Sequence, residues 1–410
     1  MSERVVFISN YFNHHQLSFC DELYRQLDGS FCFLQTQPME EERVKMGWQA
    51  KERPYVRYYE GAENEAIEES KRRIRDAEVV IFGGCDDESY IQERLANGKP
   101  IFRYNERLYK EGQWKAISPR GLRQKYKDHT RYRKAPVYFL CAGAYVPCDY
   151  ALVHAYPDKM LRFGYFPETR QYEPGQPFDR KKPGSILWAA RMIDWKHPEL
   201  PVKTAAYLKK QGLSFHMNII GGGAMETEVR DLAKTLDVED VITFLGFLSP
   251  EEVRTWMEAS EIYLMTSDRK EGWGAVVNEA MNSGCAVVAD HMVGAVPYLI
   301  RQGQNGLIYQ DGNEEDLYTK VAGLLQQPKR CRQLGEAAQE TIRTLWNAEI
   351  AADRLVELWK RMGFLKPEQT QGGNNGTADQ PVPTLWEEGP CSPAPVIPER
   401  QMYRELTKRR

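Results

Sequence analysis

Short runs of β-branched and aromatic residues alternate with longer amphipathic stretches from the start of the chain, at residues 4–9, 31–35, 78–84, 100–105 and 150–154. Alternation of this kind predicts parallel strands covered by helices. A second series follows, with strands at 186–191, 215–221, 241–245, 262–266 and 286–289 and helices at 198–211, 225–236, 274–282 and 296–302. Ser249-Pro250-Glu251-Glu252 supplies an N-cap, a first-turn proline and a capping-box glutamate, so a further helix starts there. Residues 348–362 predict a last amphipathic helix.

Between the two series, Pro174-Gly175-Gln176-Pro177 and Lys181-Lys182-Pro183-Gly184 have linker composition. The expected organisation is an N-terminal doubly wound domain over 1–166, a linker over 167–184, a C-terminal doubly wound domain over 185–347, and a helix over 348–365 that returns to the N-terminal domain. Beyond residue 366 the composition turns to Gln, Gly, Asn and Pro, with Gly372-Gly373-Asn374-Asn375-Gly376, and predicts a disordered tail over 366–410. Ligands of doubly wound sheets bind beyond the carboxyl ends of the strands, and two such domains facing each other would enclose a cleft.

Composition narrows the function classes. The chain has 410 residues with 55 Lys plus Arg against 58 Asp plus Glu, a balance that gives no global attraction to nucleic acid or to an anionic membrane. Eight scattered cysteines form no C-x-x-C pair and read as reduced structural thiols, which with the lack of a signal-peptide pattern predicts a cytoplasmic protein. The longest apolar stretch, at 137–146, is about half of the roughly 20 residues needed to cross a bilayer as a helix.

The chemistry concentrates in 261–289. A strand ends at Thr266, a loop carries Glu271-Gly272-Trp273-Gly274-Ala275, and a helix carrying Glu279 ends at Gly284. Gly272 and Gly274 permit close backbone approach, and the helix N-terminus offers unpaired N–H groups to a phosphate. Glu271 and Glu279 would repel a phosphate but accept hydrogen bonds from sugar and ribose hydroxyls, a combination that suits a sugar nucleotide.

This segment resembles the retaining, metal-independent glycosyltransferases of family 4 type, which have the GT-B fold and include sucrose synthase and bacterial phosphatidylinositol mannosyltransferases. Glu271 and Glu279 match the E-x7-E motif, followed by Ala280-Met281 and Gly284-Cys285-Ala286-Val287-Val288. The resemblance implies that Glu271 contacts the transferred sugar and Glu279 the nucleotide ribose. It assigns Arg191 and Lys196, in Ile186 to His197, to the donor diphosphate, where they would hold the charge of the leaving group. Gly221 and Gly222 would lie beside the donor phosphates, and the backbone around Phe247 beside the base. Trp273 and Ala275 join Gly272 and Gly274 on the donor side.

The N-terminal domain matches the family only in strand order. In place of a paired-glycine first loop it has Asn10 to Gln16, where His14 and His15 have two readings, a contact to phosphate or acceptor and a helix-capping role. Glu106 and Arg107 follow a strand and read either as acceptor contacts or as an internal ion pair. Residues 120–134 hold seven basic residues against Asp128, interleaved with Tyr126 and Tyr132. They read as a solvated helix or as a contact to an anionic membrane, possible for a peripheral protein at the inner membrane face.

The expected activity is transfer of a sugar from a UDP- or GDP-sugar to a hydroxyl acceptor, with a lipid-linked or glycan acceptor among the candidates, in glycan or polysaccharide biosynthesis, with no cofactor, metal or nucleic acid. The alternatives are a sugar-nucleotide epimerase of the same fold and a noncatalytic carbohydrate-binding relative.

Overall fold

The computed structural model describes residues 3–41, 44, 52–59, 64–173, 175–366 and 380–408. Pro174 of the expected linker and Gly372 to Gly376 of the expected tail lie outside the described residues. The chain divides into two compact units, residues 1–168 with 347–397 and residues 169–346 with 398–410.

Unit 1 is built on β1 (Val5–Ser9), β2 (Phe31–Gln35), β3 (Val56–Tyr58), β4 (Val79–Phe82), β5 (Ile101–Asn105), β6 (Val137–Ala142) and β7 (Met160–Phe163). These form a seven-stranded sheet in the order β3-β2-β1-β4-β5-β6-β7, every pairing of which is parallel. Strands β1, β2, β4 and β6 are buried along their whole length, the pattern of a parallel sheet covered on both faces. The expected strand at 150–154 is instead the end of the helix Val146–Ala151 and a turn, and the strand is β7. Pro147 in the first helical turn starts that helix, and Tyr150 packs at 4.3 Å on Phe139 and 5.6 Å from Tyr156, so aromatic packing rather than β-pairing uses its ring.

Unit 2 is built on β8 (Lys182–Ala189), β9 (His216–Ile220), β10 (Ile242–Gly246), β11 (Ser260–Met265), β12 (Ala286–Asp290) and β13 (Leu307–Tyr309). All are parallel, in the order β10-β9-β8-β11-β12-β13. Chain order reverses direction between β8 and β11, which makes the carboxyl ends of these two strands the switch point of the sheet. The stretch of linker composition packs on this unit. Arg170 binds Asn282 and Glu258, and the Lys181 ammonium donates to the carbonyls of Ser260 and Ser283.

The expected disordered tail is corrected for residues 380–408. Cys391 and Ser392 are fully buried, Arg162 N donates to the Ser392 carbonyl at 2.8 Å, and Ala394 N donates to the Met160 carbonyl at 2.9 Å. This segment thus borders β7 in unit 1. Residues Glu399–Thr407 then form a helix that belongs to unit 2. Composition misleads here because the segment borrows an existing core instead of building its own.

Candidate functional site

The site in unit 2 is assembled where β8 and β11 end. Trp188 Nε1 donates to Thr266 Oγ1 at 2.8 Å, and Thr266 Oγ1 donates to the Lys196 carbonyl at 2.7 Å. Asp268 N donates to the Trp195 carbonyl at 3.0 Å. These buried bonds tie the loop after β8 to the loop after β11, so the backbone bearing Lys196 and the one leading to Glu271 are fixed together. Their side chains form an ion pair, 13% and 14% exposed.

The Glu271 loop is also held from the β12 side, by Gly294 N to the Glu271 carbonyl at 3.2 Å and Ala295 N to the Trp273 carbonyl at 2.9 Å. Gly274 has φ +89°, and a Cβ there would sit 3.0 Å from Met265 Cε and from a Val293 methyl, so only glycine fits this turn. Ala275 caps the helix Val276–Asn282. That helix has seven residues, so any case for a diphosphate at this site rests on the basic side chains rather than on the helix end. Glu279 lies within it, half-buried, and its carboxylate has no hydrogen-bond partner among the described residues. Burial pushes its carboxyl up, against the pull of Arg254 and Arg170.

Arg191 follows β8, exposed and unpaired among the described residues. Gly221 and Gly222 follow β9. Gly221 has φ +122° and its Cβ would fall 1.9 Å from the Ala190 carbonyl oxygen, while Met192 N donates to the Gly222 carbonyl at 2.8 Å. The glycine at 221 is therefore explained by close packing of the two loops, whatever binds above them. Phe247, just beyond β10, is 61% exposed.

Trp273 departs from the donor-side expectation. Its side chain is fully buried, with Nε1 donating to Asn278 at 3.0 Å and the ring 6.1 Å from Trp346, so it anchors the loop and only its backbone is left for a ligand. The sequence reading also missed His197. Its backbone is left-handed, φ 50°, and its ring lies 3.1 Å from Glu199 and 3.7 Å from Asp268. The carboxylates of Asp268 and Glu199 raise it to about 10, so it is a cation at neutral pH beside Lys196. Burial alone would raise Asp268, but His197 holds it below the usual carboxylate range. A histidine directly after Lys196 and an aspartate in the Glu271 loop, on adjacent strands, were the available signal.

In unit 1, His14 and His15 open the helix His14–Gln26 after β1, with rings 3.8 Å apart. The capping alternative is corrected: Asn13 accepts from His15 N at 2.9 Å and Gln16 completes the capping box. His15 instead stacks 6.2 Å from Tyr165. Glu106 pairs with Lys110 and accepts from the Tyr165 hydroxyl at 3.0 Å. Arg107 is 4% exposed, faces Asp149 at 3.5 Å and lies over the Tyr145 ring, so its guanidinium is interior and the acceptor reading is corrected for it. The ion pairs are Glu106 with Lys110 and Arg107 with Asp149, not Glu106 with Arg107.

Residues 170–341 match the family model of glycosyl transferases group 1. An uncharacterized glycosyltransferase of Haemophilus influenzae is 27% identical over 176 residues, 43% of this chain and 48% of that protein. The amylovoran biosynthesis glycosyltransferase AmsK of Erwinia amylovora is 28% identical over 186 residues, 44% and 46% of the two. The chain thus spans about half the length of the curated relatives it matches. Among solved structures, Anabaena Alr3699/HepE in complex with UDP aligns with TM-score 0.64 at 13% identity, over 88% of this chain and 100% of that one. Sucrose-phosphate synthase from Thermosynechococcus elongatus aligns with TM-score 0.60 at 14% identity, over 88% and 99%. Identities this low speak to fold, and the fold is GT-B with two Rossmann-like units. Nearly the whole of unit 2 thus matches the glycosyl transferases group 1 model, within a chain whose two units have the GT-B fold.

Proposed function

We propose that the chain transfers a sugar from a nucleotide-sugar donor, a UDP- or GDP-sugar, to a hydroxyl acceptor with retention at the anomeric carbon, in polysaccharide or glycan assembly. The observation that carries this reading is the Lys196–Glu271 ion pair at the switch point of the sheet, with Arg191 and the Glu279 carboxylate, both unpaired among the described residues, on neighbouring segments. It is supported by relatives named for amylovoran and colanic acid biosynthesis, and by a structural neighbour in complex with UDP and glucose.

In this mechanism the donor diphosphate takes over the Lys196 ammonium, and Arg191 closes on it from the exposed side. Two fixed cations then stabilise the charge that grows on the diphosphate as the glycosidic bond breaks. Glu271, released from Lys196, accepts hydrogen bonds from the sugar hydroxyls, and Glu279 accepts those of the ribose. Phe247 offers an aromatic face to the base. The proton of the attacking hydroxyl passes to the departing diphosphate. His197 remains protonated near neutrality and adds positive charge beside Lys196 without acting as a base.

Nucleoside diphosphates and their sugars, screened by thermal shift, should raise the melting temperature for one base only. With that donor and a hydroxyl acceptor, Glu271→Ala should lower kcat by about a hundredfold or more. Near-normal turnover in that variant refutes the role of Glu271. Labelled donor converted to an epimer with no acceptor-linked product refutes transfer.

A further inference from the structure

Residues 112–128 of unit 1 form a surface that the proposed reaction does not use. Gln113–Ile117 is a 3-10 turn, and Pro119–Asp128 is a helix with no buried residue. Trp114 is 69% exposed, Ile117 78%, Leu122 41% and Tyr126 59%. Four of the eleven large hydrophobic side chains exposed among the described residues thus fall within thirteen positions, a patch rather than ordinary scatter.

The patch is held out by its neighbours. Gln113 Nε2 donates to the buried Asp149 at 2.9 Å, Ser118 caps the helix, Arg103 donates to the Asp128 carbonyl at 2.8 Å, and Thr130 Oγ1 donates to the Val153 carbonyl at 2.7 Å. Both ends are fixed to unit 1, while the face between them has no cover among the described residues. Leu122 and Tyr126, four apart, share one helix face. Lys115, Arg120, Arg123 and Lys127 flank it, and residues 112–127 contain no acid.

We propose that this surface docks on an anionic phospholipid bilayer. Trp114, Ile117, Leu122 and Tyr126 enter the boundary between headgroups and acyl chains, and Lys115, Arg120, Arg123 and Lys127 lie against the lipid phosphates. Charge selects this occupant. In a twofold pairing of two copies the same patch would meet itself, so cations would face cations, whereas an anionic surface neutralises all of them at once. Among the described residues no helix is long and apolar enough to cross a membrane, so docking here is lateral.

Flotation of the whole chain with vesicles of phosphatidylcholine, with and without phosphatidylglycerol, tests this independently of any transferase activity. Binding is expected only with phosphatidylglycerol and should fall as salt rises. Arg120→Gln, Arg123→Gln and Lys127→Gln together should weaken it by about a hundredfold, at roughly fivefold per charge. Trp114→Ser with Ile117→Ser should also abolish flotation at low salt while leaving the circular dichroism spectrum unchanged. Equal binding to neutral vesicles, unchanged binding in either variant, or a concentration-dependent dimer that the same substitutions dissolve would overturn it.

Discussion

Asp290 ends β12 next to the loop system that braces Glu271, and it is 2% exposed. Burial raises its carboxyl to about 6, although a bond from His291 works the other way. Below about pH 4 the group is protonated in both the folded and the unfolded chain. Between about pH 4 and 6 the unfolded chain releases this proton while the folded chain keeps it, so the folded state loses stability as pH rises, and above about 6 both are ionised and the loss is complete. Asp290→Asn removes that ionisation, so the variant should gain on the wild type between about pH 4 and 6, by roughly 2–3 kcal/mol, and keep that lead at higher pH. Urea denaturation across this range checks it, and parallel curves would contradict it. At the same scale, the E-x7-E spacing in its strand-loop-helix setting and the family resemblance marked Glu271, Glu279, Arg191 and Lys196 as candidates, since charged residues taken singly are mostly solvated surface. The sequence reading misjudged Trp273, and of the two readings of Arg107 the interior ion pair holds, with Asp149 in place of Glu106. Tryptophan and arginine each combine an apolar body with a polar tip, and only the packed neighbours decide which end meets solvent.

Among the elements, the helix Glu399–Thr407 is the least expected. Its Glu399 binds Arg269 at 2.6 Å, Tyr403 donates to Asp316 at 3.0 Å and meets His291 edge to face at 5.2 Å, and Met402 is 1% exposed. Arg269 stands two positions before Glu271, and His291 opens the turn whose Gly294 N binds the Glu271 carbonyl. The helix therefore braces both segments that position Glu271. Glu399→Ala should speed hydrogen exchange of the amides at 269–274 by about tenfold, the scale of losing a charged hydrogen bond. Exchange in β1 of unit 1 should be unaffected, and unaltered exchange at 269–274 would show that the brace carries no load. Periodicity identified most helices and strands of unit 2 but not this helix, because a nine-residue amphipathic segment after a proline-rich stretch has little local signal.

On the scale of the whole molecule, each unit has its own sheet and its own buried cluster, one running from Val6 to Met160 and the other from Ile186 to Leu334. Two cores predict two calorimetric transitions, and a nucleoside diphosphate that binds unit 2 should raise only one of them. A single transition matching its van't Hoff enthalpy would mean that the units unfold as one. The sequence by itself determined the two α/β series and the parallel sheets, and it marked the segment from 261 to 289 as the candidate site, because periodicity, glycines and capping residues act over a few positions. Only the tertiary structure decided that Lys196 meets Glu271 and that Trp188 and Thr266 lock their loops together. It also decided that His197 sits between two carboxylates and that residues 380–408 are built into the fold. Those outcomes join positions far apart in the chain, and burial, which sets their energies, exists only once the sheets have packed.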